Sequence, residues 1–191
     1  MDAAIANRRR GRPRDTRLDA AILKAAGTLL ARNGYATMSL EAVAALADTT
    51  MPALRRRYDS KADLIAAVIV SLRTSPLPAP TGSPREDALA VLRDLNRAML
   101  HENAMTVVGS LLAEEHHHPE LLGLYRTHIT ESRRGALRGA LARGIRAAQL
   151  PADLDVDAVT SMLCGALYGQ YLTTAGLSEE WADRTLAILW P

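Results

Sequence analysis

Three consecutive arginines, Arg55, Arg56 and Arg57, stand in a short predicted helix within SLEAVAALADTTMPALRRRYDSKADL, residues 39–64. A guanidinium is a planar, permanently charged fork of donors that suits phosphate oxygens and guanine edges. Helical phase separates the three. At about 100° per residue, Leu54 and Tyr58 share one face and define the buried side. Arg56 then points away from that side, with Pro52 and Ala53 beside it, while Arg55 and Arg57 lie on opposite flanks. An arginine aimed outward from a helix in a DNA groove can grip guanine O6 and N7 with two bonds. Arginines on the flanks meet the phosphate walls instead. Lys61, at the start of the next helix, adds a further candidate phosphate contact.

The elements that must hold these cations are legible from caps and spacing. A helix is predicted over about residues 16–33, with Leu18, Ile22, Ala25, Ala26 and Leu29 at the 3.6-residue period and Gly34 as its C-cap. Ser39 is the N-cap of the next helix, with Glu41 in the first turn and Leu40, Val43 and Leu46 on one face. Thr50 caps the arginine helix, where Pro52 is tolerated in the first turn. Ser60 and Asp63 form a capping-box-like start for a helix with the stripe Leu64, Ile65, Val68, Ile69 and Leu72.

Charge is distributed as a polyanion-binding head requires. Residues 1–75 hold 13 Lys/Arg against 7 Asp/Glu, whereas residues 76–191 hold 10 against 14. Only Lys24 and Lys61 are lysines. Residues 1–14, MDAAIANRRRGRPR, lack apolar periodicity and are expected to be a disordered basic arm.

At 191 residues the chain can bury roughly 70% of its unfolded surface, enough to need no metal or disulfide. The single cysteine, Cys164, has no internal partner and is read as a small buried hydrophobe, which fits a reducing compartment. No signal peptide and no apolar run of membrane-spanning length is found, so the expectation is a soluble, cytoplasmic protein.

TSPLPAPTGSP, residues 74–84, with four prolines, is the clearest boundary. It closes with Ser83-Pro84-Arg85-Glu86, which reads as N-cap, N1 and N3 of a helix. Beyond it, helices are predicted near 85–101, 104–115, 119–149, 156–174 and 179–189, the long one with Leu137, Leu141 and Ile145 repeating at four. Asp155 and Ser178 are the expected N-caps of the last two. No segment alternates as a strand. The expected fold is all-α with about nine helices: a basic arm (1–14), a helix-turn-helix domain (15–73), a linker (74–84) and a helical body (85–191).

GYATMSLEAVAALADTTMPALRRRYDSKADLI resembles the DNA-binding domain of the TetR family of bacterial transcriptional regulators. Gly34-Tyr35, Ser39, Ala47, Leu54, Tyr58, Ser60, Lys61 and Leu64 fall on the family pattern, and RRGRPR is similar to its basic arm. Asp48-Thr49 departs from the usual Gly-Val turn, Pro52 from a common Gly, and Arg55 and Arg57 from frequent Tyr positions. Asp is among the few residues that tolerate the left-handed geometry such a turn needs. The DNA-facing set is then Arg12, Arg14, Ser39, Thr49, Thr50, Pro52, Ala53, Arg55, Arg56, Arg57 and Lys61. The resemblance implies a homodimer on a palindromic double-stranded operator, a repressor released by a small hydrophobic ligand.

HHHPELLGLYRTHITESRRGALRGALARG resembles one C-terminal subtype of these regulators. The expected ligand pocket lies among Met99, Met105, Leu111, Tyr125, His128, Met162 and Tyr168. The expected dimer interface uses Gly165 and Gly169, one turn apart, with Trp181 and Trp190 supplying area. His116, His117 and His118 diverge by about 100° each on a helix and cannot converge on one ion, and no second cluster stands at zinc spacing. No metal and no cofactor is expected. No phosphate loop, nucleophile motif or acid–base pair argues for an enzyme. The alternative to a ligand-released repressor is a DNA-binding architectural protein that senses nothing.

Overall fold

A computed structural model describes residues 16–72, 76–77, 79–100, 103–173 and 176–190. The basic arm, with Arg12 and Arg14, lies outside the described residues. The elements are α1 (Thr16–Thr37), α2 (Leu40–Leu46), α3 (Met51–Arg55), α4 (Lys61–Ser71), α5 (Pro84–Leu100), α6 (Ala104–Ala113), α7 (Pro119–Tyr125), α8 (Glu131–Arg146), α9 (Val156–Thr173) and α10 (Trp181–Ala187). No strand occurs among the described residues. The all-α expectation holds.

Gly34 breaks the regular path of α1 with φ 72° and ψ 169°, a combination open in practice only to glycine. The chain thereby leaves the helix axis and delivers Tyr35 inward, where it is buried. The helix predicted over 119–149 is one rod with a defect in it: α7 and α8 are joined by a π-helical turn, Arg126–Thr130. Periodicity of apolar residues does not reveal such a turn, because one wide turn shifts the phase without erasing the stripe. Leu137 and Leu141 of that stripe are fully buried.

Packing divides into two apolar clusters. One gathers Ile22, Leu30, Val43, Leu54, Leu64 and Ile69 of α1–α4 together with Val107, Leu111, Leu121, Tyr125 and Ile129 from beyond the linker. The other joins α5, α8, α9 and α10 through Leu92, Leu137, Leu141, Leu167, Trp181 and Trp190. The linker end is pinned to α5, beside the second cluster. Asp87 on α5 accepts from the Thr81 N–H at 2.6 Å, from the Thr81 hydroxyl at 2.8 Å and from Arg143 at 2.7 Å. Burial alone would raise this carboxyl, but the three donors hold it below its ordinary value.

Several expectations need correction. Leu46 is not on the buried face of α2 but 51% exposed; the inward stripe is Leu40, Val43, Ala44 and Ala47, the i, i+3, i+4, i+7 spacing of one helix face, which leaves position 46 off it. Ser178 does not cap α10: its backbone carbonyl accepts from Trp181 N–H, while its hydroxyl is buried without a partner. Trp181 and Trp190 are 2% and 6% exposed within the second cluster, so neither offers area to a second copy. The reason is α10 folding back onto α5, where Arg93 clamps Asp183 at 2.6 Å.

Candidate nucleic-acid interface

Each helix of the reading motif begins on the cap its sequence specifies. Ser39 Oγ accepts from the Ala42 N–H at 3.1 Å, and Thr50 Oγ1 from the Ala53 N–H at 3.3 Å. Ser60 Oγ accepts from the Asp63 N–H at 3.0 Å and donates to the Asp63 carboxylate at 2.8 Å. Between α2 and α3 the chain turns through Asp48 at φ 50°, the left-handed step that Asp accommodates. Ser39 and Thr50 are exposed. Their oxygens cap the helices, and each keeps its own hydroxyl proton to donate outward.

α3 presents the expected phase with one change. Leu54 is fully buried and Tyr58 packs against the same cluster, so the opposite side faces out. Arg55, Arg56 and Pro52 are exposed, with Thr49 and Ala53 half-buried beside them. Arg57 turns the other way. Its Nε donates to Asp19 of α1 at 2.5 Å and its Nη1 to the Ala53 carbonyl at 3.1 Å, and its side chain is only 13% exposed. Arg57 thus ties the reading helix to α1, beside the exposed Arg55 and Arg56.

Lys61 too is engaged within the chain. Its ammonium donates to the carbonyls of Tyr35 at 2.7 Å, Met38 at 3.2 Å and Ala36 at 3.3 Å. It also sits 4.2 Å above the Tyr35 ring. An ammonium has three protons, and three carbonyls take them. Lys61 therefore closes the end of α1 from a distance, and no proton remains for a phosphate. His118 also meets Tyr35, ring to ring at 4.6 Å and 65°, with its Nδ1 3.2 Å from Glu120. Burial first, then Glu120 and Glu114, push the Tyr35 hydroxyl above its ordinary pKa. His116 and His117 are exposed, and among the described residues no three His, Cys, Asp or Glu side chains gather closely enough to hold a metal. Nor is any helix there long and apolar enough to cross a membrane.

The seven residues expected to line a ligand pocket do not converge. Met162 is 71% exposed on the outer face of α9. Leu111 and Tyr125 belong to the first cluster, with the Tyr125 hydroxyl 3.5 Å from that of Tyr168. Met99 and Met105 border a cavity of about 360 Å³ between α5, α6 and α9. None of the seven, His128 included, lines the larger cavity of about 500 Å³, which is bounded by α1, α4, α5 and α6. That site escaped the sequence reading because its walls come from residues as far apart as Ala20 and Val107, with no local pattern to mark them. Gly165 and Gly169 are exposed, with open space where a Cβ would stand.

Comparison with known proteins agrees with this architecture. Residues 22–68 match the family described as bacterial regulatory proteins, tetR family, and residues 78–189 match the tetracyclin repressor-like C-terminal domain. The chain is 29% identical over 167 residues to the uncharacterized HTH-type transcriptional regulator YdeS of Bacillus subtilis, covering 87% of this chain and 84% of that one. A putative fatty acid metabolism regulator of Clostridium perfringens shares the fold at a TM-score of 0.72 and 19% identity, covering 88% of this chain and 96% of the other. MexZ of Pseudomonas aeruginosa, a repressor responsible for antibiotic resistance, does so at 0.70 and 19%, covering 91% and 92%. Two capped helices around a left-handed Asp turn, outward arginines, and matches over both halves of the chain identify it as a member of the TetR family, a DNA-binding transcriptional regulator.

Proposed function

We propose that the protein is a homodimeric repressor that reads a palindromic operator with α3 and is released by a small ligand held in its body. The observation that carries the reading is the division of labour on α3. Arg55 and Arg56 are exposed, while Arg57 and Lys61 are consumed in fixing the helix that presents them. Arg56 reads base edges, Arg55 meets phosphate, and the Ser39 and Thr50 hydroxyls with Thr49, Pro52 and Ala53 form the surrounding contact surface. Arg12 and Arg14 of the basic arm add charge from outside the motif. The functional division is a reading head over 15–73, a linker over 74–84 and a body over 85–191.

A variant series against an operator selected from a random-sequence pool tests this. Arg56→Ala is expected to lower discrimination between operator and random DNA by about 5- to 150-fold, the worth of one bidentate base contact. Arg55→Met should weaken both DNAs and reduce the salt slope by about one. Lys61→Met should leave the slope unchanged, because that ammonium neutralises no phosphate. Equal losses on operator and random DNA for Arg56→Ala would overturn the base-reading role.

Dimerisation is supported by the outer side of α9 and α10. Met162, Leu172 and Ile188 are 71%, 80% and 87% exposed, and Gly165 and Gly169 on the same helix as the first two offer no side chain to hold a partner away. Two copies packed there would set two α3 helices on successive major grooves, about 34–36 Å apart. Light scattering at micromolar concentration should give twice the chain mass, and Gly165→Glu should shift it toward the monomer. A monomeric wild type would refute the dimer.

A further inference from the structure

The cavity of about 500 Å³ lies at the seam between the reading head and the body, walled by α1 and α4 on one side and by α5 and α6 on the other. Its size falls within the range of small-molecule sites. Leu23, Val68, Leu72 and Val107 give it an apolar wall. Its polar groups are few and unequal. The Thr28 hydroxyl donates to the Lys24 carbonyl at 2.9 Å, and the Ser71 hydroxyl to the Val68 carbonyl at 2.7 Å, so both protons are committed to the helices. Two donors remain. Lys24 is exposed, and its ammonium has no ion-pair partner among the described residues. Asn103 stands at φ 66° at the start of α6, where its side chain makes no capping bond. Among the described lining residues none carries a carboxylate. Its described lining thus combines one cationic side chain and one free amide with a mostly hydrocarbon wall.

We propose that this seam is a binding site for a small amphipathic acid: an apolar body seated among Leu23, Val68, Leu72 and Val107, and a carboxylate received by the Lys24 ammonium and the Asn103 amide. The apolar body gains by leaving water, and the carboxylate gains a charge-assisted bond in a partly dry setting. The geometry also gives the ligand leverage. It touches α1 and α4, which carry α3, and it touches α6, whose Ser110 hydroxyl is bonded to the Leu30 carbonyl of α1 at 3.1 Å. A molecule wedged between those helices favours whichever head position best accommodates it. The consequence for DNA rests on the repressor reading above; the ligand chemistry does not.

Titration calorimetry of the full-length protein with decanoate and with decanol tests the site, using wild type, Lys24→Met and Lys24→Arg. Decanoate is expected to bind wild type and to lose about tenfold or more in affinity with Lys24→Met. Lys24→Arg should retain most of it, and decanol should bind both wild type and Lys24→Met within about twofold of each other. Because Lys24 is exposed, folding of the Met variant is not at risk. Undetectable decanoate binding at millimolar concentration, or equal affinity in wild type and Lys24→Met, would overturn the proposal. A parallel arm measures operator affinity with and without decanoate. Lys24-dependent binding that leaves DNA affinity unaltered would uphold the site and count against ligand-driven release, so the two readings fail separately.

Discussion

Replacing Arg133 by Ala is expected to cost about 3–5 kcal/mol of stability, the loss that follows when one member of a buried ion pair is removed. Arg133 follows the π-helical turn on α8 and reaches across to α5. Its Nε donates to Asp94 at 2.8 Å and its Nη1 to the Ile129 carbonyl at 3.0 Å, with side chains 6% and 2% exposed. Without it, the Asp94 carboxylate keeps, among the described residues, only the cation of Arg97, 3.8 Å away and 70% exposed. A single change of this size removes much of the roughly 5–15 kcal/mol that a domain commands. The double variant Asp94→Leu/Arg133→Met has no charge to strand. It is expected to lie within about 1 kcal/mol of wild type or above it. Urea unfolding of wild type, Arg133→Ala, the double variant and its two component single variants, Asp94→Leu and Arg133→Met, checks both statements. Additive losses in the double variant would mean that the two side chains are not coupled, and would overturn the stranded-charge account.

The second large effect is expected at Gly144. A Cβ there would stand 2.5 Å from Trp190 Cζ2 and 3.0 Å from Leu150 Cδ1. The obstructing atom belongs to a rigid indole, 6% exposed, which cannot give by a few tenths of an ångström. Gly144→Ala must displace Trp190 or bend α8, at about 1–3 kcal/mol for overpacking and more if the indole is expelled. Gly135→Ala on the same helix is the control. Nothing lies within 4 Å of its Cβ position, so relief of backbone entropy should stabilise it by about 0.5–1 kcal/mol. In a Trp190→Ala background the Gly144→Ala penalty should vanish. Its survival there would place the clash elsewhere.

How far the sequence can be read depends on how far apart the interacting groups lie. Ser39, Thr50, Ser60 and Asp155 cap the helices assigned to them, because a cap oxygen and the N–H that donates to it are only two or three residues apart. Arg56 faces outward because phase within one turn suffices to place it. The intramolecular bonds of Arg57 and Lys61 were not legible for the complementary reason. Their partners, Asp19 and the Tyr35–Met38 carbonyls, are 38 and 23–26 residues away, and only the folded chain brings them within reach. The tryptophans follow the same logic. Their size marks them for burial, but whether against their own chain or a second copy depends on the path of α10, which no periodicity in a seven-residue helix prescribes.

The cluster beneath the reading head has a consequence for how such regulators can be rearranged. Val107, Leu111, Leu121, Tyr125 and Ile129 come from beyond the proline-rich linker, yet they are packed with Ile22, Leu30 and Leu64. The covalent seam and the hydrophobic seam therefore do not coincide. A chimaera cut at the linker, with this head grafted to a foreign body, would leave the undersides of α1 and α4 facing a surface with the wrong contours. The unit of inheritance that stays folded is the head together with α6, α7 and the π-helical turn that follows it, and exchange of operator preference between relatives must respect that larger unit.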